Sequence, residues 1–153
     1  MSKGQYLLRD AQKTAEKVLL TLQPFCNLIA ICGSIRRRVP VVGDIDIIVA
    51  GLKDGFEEAI MELGASPSLI KHTFEVEGIS CDVSQVVLSA WGAALMHHTG
   101  SKAENIRLRK IAKRQGYSLS QYGLKEGENI IAGATEMEVY EALGVTYQQP
   151  EER

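Results

Sequence analysis

The sequence predicts an α+β fold, because helix-type and strand-type segments alternate along all 153 residues with short turns between them. Two local patterns carry most of this expectation. Ile79-Ser80-Cys81-Asp82-Val83-Ser84 alternates apolar with polar side chains, as a strand does when one face is packed and the other open. Thr135 followed by Glu138 is the capping box that starts a helix. In chain order the elements are a helix from about Tyr6 to Leu22, a strand at Leu28 to Cys32, a glycine-serine turn, a strand at Asp44 to Ala50 and a helix at Lys53 to Leu63. Strands follow around Lys71 to Glu77 and Ile79 to Val87, then helices at Ser89 to His97 and Lys102 to Gln115. The tail reads as small strands followed by a helix from Thr135 to Leu143.

Composition bounds the class. A chain of this length suits one compact unit that buries roughly 70% of its unfolded surface, and 45% hydrophobic residues suffice for a core. No stretch approaches the ~20 apolar residues of a membrane helix, and Met1-Ser2-Lys3-Gly4-Gln5 has no signal-peptide pattern, so the cytoplasm is expected and a membrane partner is not. Cys26, Cys32 and Cys81 are odd in number and embedded in apolar runs, which reads as buried reduced thiols. The net charge of −2 argues against a strong grip on nucleic acid, but its distribution is uneven. Lys102, Arg107, Arg109, Lys110, Lys113 and Arg114 cluster against the single acid Glu104, and on a helix Arg107, Lys110 and Arg114 form one stripe.

The densest chemistry lies between Gly33 and Asp46. Gly33-Ser34 follows the apolar run Leu28 to Cys32, so it falls where a strand ends and a short helix begins, with backbone N–H groups free to receive phosphate. Arg36-Arg37-Arg38 adds positive charge, and Asp44 and Asp46, two apart at the start of a strand, share a face on which they can share divalent metals. Taken singly, each feature has a plainer reading as a turn, a solvated loop or a strand end. Asp82 strengthens the joint reading, because if its strand lies beside that of Asp44, three carboxylates converge and call for metal cations.

Here the residues carry a resemblance. Gly33-Ser34, Arg37, Gly43-Asp44-Ile45-Asp46 and Asp82 resemble the active site of the nucleotidyltransferase superfamily, and Thr99-Gly100-Ser101 through Asn105 to Arg109 resembles the family X DNA polymerases. The likeness continues through Gly116 to Leu124 and Thr135 to Tyr147, ending at Pro150-Glu151-Glu152-Arg153. It implies a nucleotidyltransferase palm, a mixed sheet with helices packed on one face, over residues 1–90, and a small α+β nucleotide-selecting subdomain over 91–153. With about thirty residues before Gly33, the chain resembles a polymerase core stripped of the amino-terminal lyase and helix-hairpin-helix domains common in the family.

The resemblance also implies roles. Asp44 and Asp46 bridge two Mg2+ ions, for which Mn2+ can substitute, while Asp82 binds the catalytic ion nearest the primer hydroxyl. Gly33, Ser34, Arg37 and Gly43 bind the β and γ phosphates of a deoxynucleoside triphosphate, and His97, His98, Thr99, Gly100 and Asn105 complete its site. Lys102, Arg107, Arg109 and Tyr122 contact primer-template or gapped DNA, and a monomer is expected. His97-His98 stand where the family has Tyr-Phe, Gln121 where an acid is usual and Ser84 where some members have arginine, so a looser sugar wall is expected. The function implied is a template-directed, gap-filling or repair DNA polymerase. The alternatives are a nucleotidyltransferase with an untemplated or non-nucleic-acid acceptor, and a noncatalytic DNA-end binder.

Overall fold

A computed structural model describes residues 4–68 and 70–153. Its centre is a four-stranded mixed sheet in the order β2 (Cys26–Ile31), β4 (Ile45–Leu52), β6 (Ile79–Gln85), β5 (Lys71–Val76). β4 runs antiparallel to β2 and parallel to β6, and β5 closes the edge antiparallel to β6. Because side chains alternate along a strand, Ile45, Ile47 and Val49 of β4 and Ile79, Cys81 and Val83 of β6 all face one way. They build the main core with Ala11, Ala15, Val18 and Leu22 of α1 (Leu8–Leu22) and Phe56, Ala59 and Ile60 of α3 (Phe56–Glu62). The hairpin joining β5 to β6 is tied to α1: Thr14 Oγ1 donates to Glu77 at 2.7 Å, and Lys17 pairs with the same carboxylate.

The remaining elements are α4 (Trp91–Thr99), α5 (Lys102–Arg114), a three-stranded antiparallel sheet of β7 (Ser118–Ser120), β8 (Gly123–Glu126) and β9 (Asn129–Ala132), and α6 (Glu136–Leu143). Their core gathers Met96, Leu108, Ala112, Leu124, Val139, Tyr140 and Leu143. α4 also reaches the central sheet, where Ala94 packs on Ile48, Ala50 and Val86 of the face opposite α1. The three cysteines are free and buried, and among the described residues no helix is long and apolar enough to cross a membrane.

The structure differs from the sequence reading at element ends. Tyr6–Leu7 form a short strand, β1, and not the start of α1, because they pair with Val41–Val42, a strand β3 that the sequence reading left within the loop. α3 begins at Phe56 and not at Lys53, whose N–H instead donates to the Phe25 carbonyl at 2.8 Å. Residues 88–90 make a separate 3-10 turn before α4. At α6 only half of the expected capping box forms: Glu138 N–H donates to Thr135 Oγ1, while the Glu138 carboxylate accepts from Ala134 N–H.

Candidate active site

The parallel register of β4 and β6 sets Asp46 opposite Asp82, and Asp44 lies two residues earlier on the same face. All three are half-buried, and one carboxylate oxygen from each lies within 4.8 Å of the others. The flanking isoleucines and Cys81 fill the α1 and α3 core, so the aspartates are forced onto the face left open beyond α4. β2 supports the site from the other side: Cys32 N–H donates to the Asp46 carbonyl at 2.7 Å. The chain then turns directly into α2 (Gly33–Arg36). The first N–H groups of such a helix have no intrahelical acceptor.

Close carboxylates resist ionising together. Burial, then the charges of Asp44 and Asp82, push Asp46 up to about 6 against the pull of Lys71 and Arg37. Asp44 is raised as well, by burial first and Asp82 second. An all-oxygen donor set carrying this unresolved negative charge fits a hard divalent cation.

Facing the aspartates is the turn between α4 and α5, across a cleft of about 520 Å³. Arg37 Nη1 donates to the Thr99 carbonyl at 2.6 Å. Its neighbour Arg36 grips Thr99 Oγ1 at 2.8 Å and both oxygens of Glu136, at 2.7 and 2.9 Å. Buried Glu136 also accepts from Arg153 Nη1 at 2.6 Å. Asn105 Nδ2 donates to the His97 carbonyl at 2.9 Å, Arg109 Nη2 lies 2.9 Å from His97 Nδ1, and His98 Nε2 lies 3.4 Å from Gln121 Oε1. Both imidazoles thus meet side chains. Burial lowers the pKa of both rings, which favours the neutral form.

Of the residues singled out from the sequence, Gly33, Ser34, Arg37, Asp44, Asp46, His97, His98, Thr99, Gly100, Lys102, Asn105 and Arg109 line this cleft. Asp82 joins through its neighbours Asp44 and Asp46. Gly43 is exposed beside Gly4, and Tyr122 stands exposed in the turn between β7 and β8. Arg107 is not brought to the cleft: it pairs with Glu104 and lines a separate groove with Gln148, Glu152 and Arg153. The side of α5 that reaches the cleft is thus Lys102, Asn105, Ile106 and Arg109, and not the stripe of Arg107, Lys110 and Arg114. Sequence reasoning missed Arg36 and Glu136 as the clamp behind Thr99. The signal was faint, since Arg36 sits in a run of three arginines and Glu136 one residue from a helix cap.

Residues 94–153 match the family model described as DNA polymerase beta thumb. The chain is 33% identical to the DNA polymerase/3'-5' exonuclease PolX of Bacillus subtilis over 97% of its own length, and it spans only 28% of that protein. It is 26% identical to the repair DNA polymerase X of African swine fever virus (isolate Tick/South Africa/Pretoriuskop Pr4/1996), covering 83% of this chain and 81% of the viral one. Among solved structures, Leishmania infantum polymerase beta in a ternary P/T complex superposes with a TM-score of 0.79 at 21% identity, over 97% of this chain and 76% of that one. The architecture is therefore the polymerase beta fold. These likenesses support the resemblance to the family X DNA polymerases that the motifs carry.

Proposed function

We propose that this chain is a DNA-directed DNA polymerase that adds deoxynucleotides to a primer 3′-hydroxyl and fills gaps during repair. The observation that carries the proposal is the convergence of Asp44, Asp46 and Asp82 across a cleft from Arg37 and the turn at Thr99 and Gly100. Residues 1–90 serve as the catalytic palm and residues 91–153 select the nucleotide. Asp44 and Asp46 hold two Mg2+ ions, for which Mn2+ can substitute, and Asp82 holds one of them. When bound, such a pair activates the attacking oxygen and stabilises the leaving one.

The protein's own groups do the rest. Asp82 faces the primer hydroxyl and accepts its proton as the hydroxyl attacks the α-phosphate and pyrophosphate leaves. The N–H groups at Gly33 and Ser34, together with Gly43, receive the β and γ phosphates. Arg37, which spends one donor on Thr99, turns its remaining N–H groups to the same phosphates. His97, His98, Thr99 and Gly100 bound the sugar, Asn105 meets the base, and Arg109 reaches the template. Lys102, Arg107 and Tyr122 contact the DNA around that centre, and the protein works as a monomer.

Primer extension with each deoxynucleotide separately, on gapped and on single-stranded substrates, tests this. Incorporation of only the templated nucleotide, strongest at a gap, is the expected result. Template-independent addition, or none to DNA, would shift the reading to a nucleotidyltransferase with another acceptor.

A further inference from the structure

Asp82 is held from behind by the edge strand. Register pairs Thr73 of β5 with Asp82 of β6, and Lys71, two residues away, projects from the same face. Thr73 Oγ1 donates to Asp82 Oδ1 at 2.7 Å, and Lys71 Nζ lies 3.3 Å from Asp82 Oδ2. The two contacts are unequal. Lys71 is 53% exposed on a flexible stem, and exposed ion pairs of that kind contribute roughly 0–1 kcal/mol and weaken with salt. Thr73 has a β-branched side chain with one rotatable bond, on a strand whose backbone is fixed by the sheet. Its hydroxyl makes a short, charge-assisted bond.

We propose that Thr73 is the positioning residue of Asp82: its hydroxyl occupies one acceptor site of Oδ1 and fixes the carboxylate plane, so that the remaining lone pairs stay directed toward Asp44 and Asp46. The inference rests on the polymerase reading of the three aspartates. A carboxylate has about four acceptor sites, so one hydroxyl partner orients it without exhausting it. Partners of this kind, standing behind a metal ligand, typically carry 10–100-fold in metal affinity or activity.

Thr73→Val tests it, because valine keeps the shape and the strand preference while removing the hydroxyl. Mn2+ binding to the protein, followed by electron paramagnetic resonance of the free ion, should weaken by roughly tenfold. On gapped DNA, kcat for one deoxynucleotide should fall by about 10–100-fold with KM nearly unchanged, and Thr73→Ser should restore both quantities. Wild-type kcat and Mn2+ binding in Thr73→Val, beside an inactive Asp82→Ala, would reject the positioning role and leave the polymerase reading intact. A loss that serine fails to restore would also reject it, by assigning the effect to packing. An active Asp82→Ala would overturn the polymerase reading itself, and the role of Thr73 with it.

Discussion

Gly33 is a glycine because Asp46 needs the space. Its φ is +61°, and a Cβ placed on it would lie 2.4 Å from Asp46 Oδ2 and 3.2 Å from Asp46 Cγ. The left-handed backbone costs an L-residue roughly 1–2 kcal/mol, and the carboxylate must swing away besides. Gly33→Ala should therefore lower the melting temperature by a few degrees and weaken both Mn2+ binding and nucleotide incorporation by tenfold or more. Unchanged Mn2+ binding would show that the displaced carboxylate is not a ligand.

A second glycine ties the start of α4 to the loop before α6. Gly92 and Ala93 N–H donate to the carbonyls of Ala134 and Gly133 at 3.1 and 3.0 Å, which caps the start of α4 with a loop forty residues on. A Cβ at Gly92 would stand 2.2 Å from the Thr135 carbonyl carbon. Backbone cannot yield as a side-chain tip does, so Gly92→Ala should cost about 3 kcal/mol or more in denaturant unfolding. Gly116→Ala, where nothing lies within 4 Å at φ +83°, should cost only about 1–2 kcal/mol.

Asp46 predicts a pH dependence of metal-free stability. Its folded pKa of about 6 lies above the ordinary 3.8, so the folded chain binds more protons than the unfolded one between those values and gains stability as pH falls from 7 toward 5. His97 and His98 pull the other way in part of that window, because their lowered values make acidification favour the unfolded state. Glu136 stays out of it. Burial raises its carboxyl, but the bonds from Arg36 and Arg153 prevail and hold it below the usual range, so its contribution is lost only at lower pH. The quantity to read is the difference between wild type and Asp46→Asn in EDTA: the variant should melt higher at pH 7, with the gap narrowing toward pH 5. A gap that stays constant would contradict the raised value.

The aspartate faces were legible in the sequence because strand periodicity is strict. Ile45, Ile47 and Val49 had to be buried, which left Asp44 and Asp46 no other side. That β4 and β6 lie parallel and adjacent was only a condition in that reading, since strand pairing is not local. The basic stripe lies apart from the cleft for a related reason. Arg107, Lys110 and Arg114 share a helix face, but which face of α5 meets the cleft is set by Leu108 and Ala112 entering the second core. Thr73 gave no signal, because its bond to Asp82 depends on the register of β5 against β6, and the signal of Glu136 was faint, because its partner Arg36 lies far away in the chain.

If His97 and His98 bound the sugar, as proposed, sugar discrimination should be weak. Both rings are in edge contact with each other at 5.0 Å between centroids and are tethered by Arg109 and Gln121. Neutral imidazoles are smaller than the Tyr-Phe pair usual in the family and can donate to a 2′-hydroxyl. The double variant His97→Tyr, His98→Phe should raise the deoxynucleotide-to-ribonucleotide ratio of kcat/KM by about tenfold, or roughly 1.4 kcal/mol. An unchanged ratio would rule out the imidazoles as the cause.

The central claim is that Asp82 completes a metal-dependent nucleotidyl-transfer site, and single-nucleotide incorporation by Asp82→Ala on gapped DNA with Mg2+ tests it most directly. Asp44 and Asp46 remain in the variant to hold a nucleotide-bound metal, so nucleotide binding, measured separately by equilibrium titration, should persist. Incorporation should be abolished. Incorporation at a near wild-type rate would contradict the claim.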